Sequence, residues 1–180
     1  MQPETIGAER ALTVWTIDPK YATVEFSSRT LLFTVKGRLT DFGGEITLDE
    51  NDVYRSSVEV SIKAASVSTG VKKRDEHLRS KDFLDAAEHP EIHFQSAGVG
   101  RGIDRDMLRV NGTLAIKGQS REIALDVTIT DRSRSPQGEE VLYFAAVAEI
   151  DRFEFGIKYA RGLIRSPIKI LIQAQATKRR

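Results

Sequence analysis

Three histidines stand close together in the chain, His77, His89 and His93. Neutral imidazole nitrogens bind zinc or iron, so a metal centre is the first chemistry they suggest. His89 and His93 have the four-residue spacing that sets two ligands on one helix face. Pro90 lies between them, and Ile92–Phe94 alternates like a strand, so that spacing loses its meaning. The three are read as surface and loop histidines, with no metal ligand assigned and no cofactor expected. Gly98, Gly100 and Gly102 resemble a phosphate-cradling run, but such a run needs a strand before it and a helix after it. Here a strand follows, which predicts a hairpin loop over 98–106. No serine sits in a G-x-S-x-G elbow. Asp104 with Asp106 and Glu139 with Glu140 fall in turn-rich segments, where carboxylates solvate loops. The absence of cysteine excludes disulfides and thiolate catalysis. One enzymatic arrangement stays open, His77 with a nearby carboxylate as acid and base. No catalytic residue is assigned, and a non-enzymatic protein is expected.

The elements that would position these residues are strands. Apolar and polar residues alternate in eight segments. Their apolar stripes are Val24 and Phe26; Leu31, Phe33 and Val35; Val58, Val60 and Ile62; Ile92 and Phe94. Further along come Leu108 to Ile116, Ile123 to Ile129, Leu142 to Ile150 and Ile168 to Ala176. A two-residue period means half-buried strands with one apolar face. The chain therefore reads as all-β, an antiparallel sheet closed on itself. Gly43-Gly44 inside a strand-like stretch predicts a bulge or bend there. The segment 68–87 breaks the alternation and predicts a short helix over about 70–85, capped by Ser68 or Thr69, near one end of the barrel. Its apolar residues, Leu78, Phe83 and Leu84, are too few to stand alone and must pack on the barrel mouth. Arg79, Asp82 and Asp85 are expected to pair and hold the segment down.

A chain of 180 residues suits one domain, assigned to 13–176, between a loose segment 1–12 and a basic tail 177–180. Basic and acidic residues nearly cancel, leaving +1, which argues against a nucleic-acid partner. Lys178, Arg179 and Arg180 suggest at most a transient touch on an anionic membrane surface. Monomer and homodimer both remain open. Met1 to Arg10 has no apolar block and does not read as a secretory signal, so a cytoplasmic location is expected. An eight-stranded barrel either fills itself with side chains or holds one small ligand. Gly112, Ala146, Ala148, Ala174 and Ala176 among the stripes would leave room. Pattern alone keeps a hollow and a filled core both in play.

Ordered motifs across nearly the whole chain resemble the YceI-like family, also called the polyisoprenoid-binding protein family. They begin with Trp15-Thr16-Ile17-Asp18-Pro19 and continue through Val35-Lys36-Gly37-Arg38 and Phe42-Gly43-Gly44-Glu45-Ile46. The most specific stretch is Arg74 to Asp85, RDEHLRSKDFLD, followed by Pro90 and Phe94. Gly112 to Gly118 and Phe155-Gly156 complete the set. Histidines are common in the family where Tyr21 and Thr30 stand here, so any role of those imidazoles does not carry over. The resemblance implies a lipocalin-like barrel around an apolar tunnel that binds a long polyprenyl lipid, such as the tail of a quinone, for transport, storage or sequestration. A role in stress responses is also associated with the family. Under that reading the expected lining is Phe26, Leu31, Phe33, Phe42, Val60, Ile62, Leu78, Phe83, Phe94, Leu114, Ile116, Leu125, Val127, Phe144, Ala146, Ala148 and Ile170. A polyprenyl chain has almost no polar atoms, so recognition would rest on burial, at ~0.8 kcal/mol gross per methylene. The alternatives are an enzyme using the cavity and a stress-response module with a filled core.

Overall fold

The structure, a computed structural model, describes residues 11–180. The described strands are β1 (Leu12–Ile17), β2 (Thr23–Thr30), β3 (Thr34–Leu39), β4 (Phe42–Asp49), β5 (Ser57–Lys63) and β6 (Val67–Ser68). After α1 (Lys72–Arg79), the one α-helix among the described residues, come β7 (Glu91–Arg101), β8 (Met107–Ile116), β9 (Gln119–Arg134), β10 (Glu140–Asp151) and β11 (Ile164–Lys178). All named pairings are antiparallel. Both β1 and β2 pair with β11, β3 pairs with β2, and β4 with β1. Thus β1–β2, β3–β4 and β5–β6 are three long strands, each interrupted once. With β7 to β11 they close an eight-stranded barrel.

The interruptions follow from local chemistry. Asp18 accepts from Lys20 N at 2.9 Å and Pro19 sets the backbone, making a single 3-10 turn between β1 and β2. Between β3 and β4, Leu39 and Phe42 both face inward although only Thr40 and Asp41 separate them, so the inward parity switches there. The bend lies at Thr40–Asp41 and not at Gly43–Gly44, whose register against β5 is unbroken. Gly44 serves close approach instead. A Cβ there would lie 2.8 Å from the Glu59 carbonyl oxygen. The loop expected over 98–106 is also shorter, because Gly98 and Gly100 pair within β7 after a register shift between Ser96 and Gly98. Lys117 and Gly118, both at positive φ, form the two-residue link between β8 and β9.

The helix is shorter than the expected 70–85. It ends at Arg79, and a run of turns carries the chain to β7. Neither Ser68 nor Thr69 caps it; Val71 holds the N-cap position without a side-chain bond. Asp75 reaches back instead, accepting from Thr69 N at 2.7 Å and Thr69 Oγ1 at 2.6 Å. Those donors, the hydroxyl first, hold its buried carboxyl below the usual aspartate range. Arg79 does anchor the segment, by donating to the Ala65 and Val67 carbonyls and not to Asp82 or Asp85. At the other terminus, β11 runs to Lys178, and Arg179 N donates to Val14 O at 2.7 Å, so the assigned tail is strand through Thr177 and Lys178. Segment 1–12 lies outside the described residues except for Ala11 and Leu12, and Leu12 begins β1.

Candidate functional site

The inward side chains leave a cavity of about 540 Å³ along the barrel. That volume falls within the ~300–1,000 Å³ typical of small-molecule pockets. Two buried clusters bound it. One, at the end carrying α1, gathers Ile92, Phe94, Leu114, Ile116, Ile150 and Phe155. The other surrounds Trp15 with Ile17, Phe42, Leu48, Leu142 and Ala176. Leu39 and Ile62 pack against both. The walls are almost entirely hydrocarbon, with isoleucines 164, 168, 170 and 172 of β11 forming one side and Leu108, Val110, Leu114 and Ile116 of β8 another.

Fifteen of the expected lining residues border this cavity. They are Phe26 and Phe33 from the first hairpin; Phe42, Val60 and Ile62; Leu78 and Phe83 from the helical segment; and Phe94, Leu114, Ile116, Leu125, Val127, Phe144, Ala146 and Ile170. Leu31 does not. The Thr30 hydroxyl donates to Phe33 O at 2.7 Å and accepts from Phe33 N at 3.1 Å, closing a tight turn that turns Leu31 out into solvent. Ala148 does not border it either. It lies opposite Ile170, one residue beyond the last β10 position paired with β9. Of the small residues expected to leave room, only Ala146 and Ala174 border the hollow. The space at Gly112 is taken by the Phe94 ring, and Ala176 is fully buried in the cluster around Trp15.

One end of the barrel is closed by the helical segment. Arg74, His77, Leu78, Phe83, Leu84 and Tyr159 all border the cavity there. The rings of His77, Phe83 and Tyr159 meet in a triangle with centroids 4.7 to 5.2 Å apart. Tyr159 is held from below by Arg152, which is buried and donates to the carbonyls of Ile157, Tyr159, Ile164 and Arg165 at 2.8 to 3.1 Å. Burial pushes the Arg152 pKa down, and four carbonyl acceptors satisfy its fork. Arg74 is turned toward Thr69, donating to its Oγ1 at 2.7 Å. His77 donates through Nε2 to Asp82 Oδ2 at 2.7 Å. The acid–base pair considered from sequence therefore exists, but no hydroxyl among the described residues hydrogen-bonds its ring, and both members are well exposed.

The opposite end carries a cluster that alternation does not reveal. The β9–β10 register shifts between Tyr143 and Phe144, so Ile129 and Arg132 both come to face inward. Arg132 then lies 5.0 Å over the Trp15 ring and forks onto Glu50 at 2.9 and 3.0 Å, with a further contact to Glu140 at 3.1 Å. Lys178 donates to Glu140 at 3.0 Å. The Arg132 hydrogen bonds hold the Glu50 carboxyl below its ordinary range, against the opposing effect of burial. Trp15, fully buried, donates through Nε1 to Thr13 Oγ1 at 2.9 Å. His89 and His93 lie apart from the cavity: His93 contacts Glu59 on an exposed face and His89 packs near Gly118. Among the described residues, no three His, Asp or Glu side chains converge as metal ligands.

Comparison with known proteins gives a consistent picture. A family model described as the YceI-like domain matches residues 15–176. Protein YceI of Escherichia coli O157:H7 is 31% identical over 144 residues, covering 80% of this chain and 74% of that one. Burkholderia cenocepacia BcnA shares the fold with a TM-score of 0.81 at 21% identity, over 89% of this chain and 99% of that one. A polyisoprenoid binding domain from Saccharophagus degradans superposes with a TM-score of 0.67 at 14% identity, over 95% of this chain and its own full length.

Proposed function

The chain belongs to the YceI-like domain family, and from that premise we propose that it is a non-enzymatic carrier that holds a polyisoprenoid lipid inside the barrel. The observation that carries this reading is the composition of the hollow: about 540 Å³ bounded from Leu48 to Tyr159 by hydrocarbon side chains. Such a wall offers a branched hydrocarbon favourable burial and almost no hydrogen bond to select it, so selection falls to length and shape. The name of the Saccharophagus degradans domain, a polyisoprenoid binding domain, supports the same ligand class. Ser28, Thr30, Arg74, His77 and Tyr159 bring polar atoms to the lid end, which favours a lipid inserted tail-first with its polar end there. Ser28 Oγ is buried without a hydrogen-bond partner among the described residues, a group that a ligand oxygen would satisfy.

Burying long hydrocarbon would exceed the practical affinity ceiling of about −18 to −21 kcal/mol if summed without cost. Ordering the flexible chain and extracting it from a bilayer offset much of that gain. The result is a protein suited to transport, storage or sequestration, because its ligand can still be given up. Native mass spectrometry of protein purified gently from its own host tests the reading. A discrete polyprenyl mass that organic extraction removes is the expected result. Protein that carries no lipid and takes up no polyprenyl probe would refute it.

A further inference from the structure

The lid end of the barrel has an apolar prow. Leu31, Leu32 and Phe33 form the β2–β3 turn, with Leu32 90% and Leu31 66% exposed. Leu31 N donates to Leu163 O at 3.2 Å, and Leu163 is itself 59% exposed. These residues belong to two adjoining segments, since Ile164 pairs with Thr30. Four large apolar side chains side by side in water need a reason, because single exposed ones are ordinary and contiguous ones mark contact surfaces.

The charge around the prow indicates what it contacts. Segments 26–37 and 155–168 contain Arg29, Lys36, Lys158, Arg161 and Arg165 and not one Asp or Glu. None of these five cations forms an ion pair among the described residues. The chain as a whole is nearly neutral, so the imbalance is local. At the opposite end three cations are paired: Arg132 and Lys178 with Glu140, and Arg179 with Glu45 at 2.9 Å. Of the C-terminal cations, Lys178 and Arg179 are therefore already engaged by carboxylates.

We propose that the Leu31–Phe33 turn and Leu163 insert into the surface of an anionic lipid bilayer, with Arg29, Lys158, Arg161 and Arg165 on the headgroups. An apolar wedge with a basic collar is the combination that holds a protein at such an interface. Phe33 borders the cavity while more than half exposed, so the docked turn sets the cavity wall against the bilayer.

Vesicles free of any polyprenyl lipid test this independently of the cavity's ligand. The full chain should sediment with phosphatidylcholine vesicles containing phosphatidylglycerol, should release at high salt, and should ignore pure phosphatidylcholine. The double variant Leu31→Ser/Leu32→Ser, with the fold verified by circular dichroism, should partition at least about tenfold less. Leu32→Trp should give a blue-shifted difference spectrum on vesicles over the buried Trp15 background, whereas Ile103→Trp, in an exposed loop at the far end, should not. No binding to anionic vesicles overturns the proposal. So does unchanged binding of the double variant, or an equal shift at both tryptophans. Self-association abolished by the double variant, without vesicle binding, assigns the prow to a second copy and overturns it equally.

Discussion

The His77 imidazole stands edge-on to the Tyr159 ring, centroids 4.7 Å apart and planes at 83°. This contact joins α1 to the loop entering β11 and closes the barrel above the cavity. The aromatic contact adds to the Arg79 and Asp75 hydrogen bonds that hold the lid, which does not rest on burial of an amphipathic helix face. Such contacts contribute ~0.5–1.5 kcal/mol each.

Tyr159→Ala or His77→Ala should therefore loosen the lid without dismantling the barrel. The expected outcome is a several-fold faster release of a bound fluorescent polyprenyl probe, unchanged capacity, and a stability loss of about 1 kcal/mol in urea unfolding. Stopped-flow transfer to acceptor vesicles reads the rate. An unchanged release rate would mean the probe leaves by another route.

Ala146 is buried and borders the hollow. In a packed core, Ala146→Phe would cost ~1–3 kcal/mol from overpacking. Beside an empty cavity the ring has somewhere to go. The variant should fold with less than about 1 kcal/mol lost and take up at least about tenfold less long polyprenyl probe. Phe144→Trp should act in the same direction. Full uptake by both would show that the ligand does not pass this level of the barrel.

Much of this was written in the alternation. Leu108 to Ile116 and Ile123 to Ile129 keep one parity along their strands and line the cavity through Leu108, Val110, Leu114, Ile116, Ile123, Leu125, Val127 and Ile129. What alternation cannot mark is where parity switches. At Thr40–Asp41, at Ala97 and at Thr130 the inward face moves by one residue, and nothing in those side chains announces it. Val99 joins the wall for that reason, and Arg132 reads as a surface charge although it covers Trp15. Leu31 leaves the inward face because a threonine hydroxyl, not a glycine, closes the turn. The Tyr159 side of the lid lies about eighty residues from His77 in sequence, a contact only closure of the barrel brings about.

The Glu50–Arg132 fork makes the far end sensitive to acid. A carboxyl whose folded pKa is lowered contributes stability above its unfolded value and loses it as pH falls through the folded one. Glu50 is in that class, so its contribution should be complete at pH 7 and fade below about pH 5. Glu50→Gln should cost roughly 1 kcal/mol at pH 7, and the gap to the unchanged protein should close toward pH 3. Urea denaturation across that range reads it. A gap independent of pH would assign the loss to packing around Trp15.

The central claim is that the interior is a hollow that takes a hydrocarbon chain. An electron-density map of protein crystallised without delipidation tests it most directly. The account predicts one continuous rod of density between the Ile164–Ile172 and Leu108–Ile116 walls, ending beneath His77 and Tyr159. An interior closed up by its own side chains, with no room for an extended chain, would contradict it.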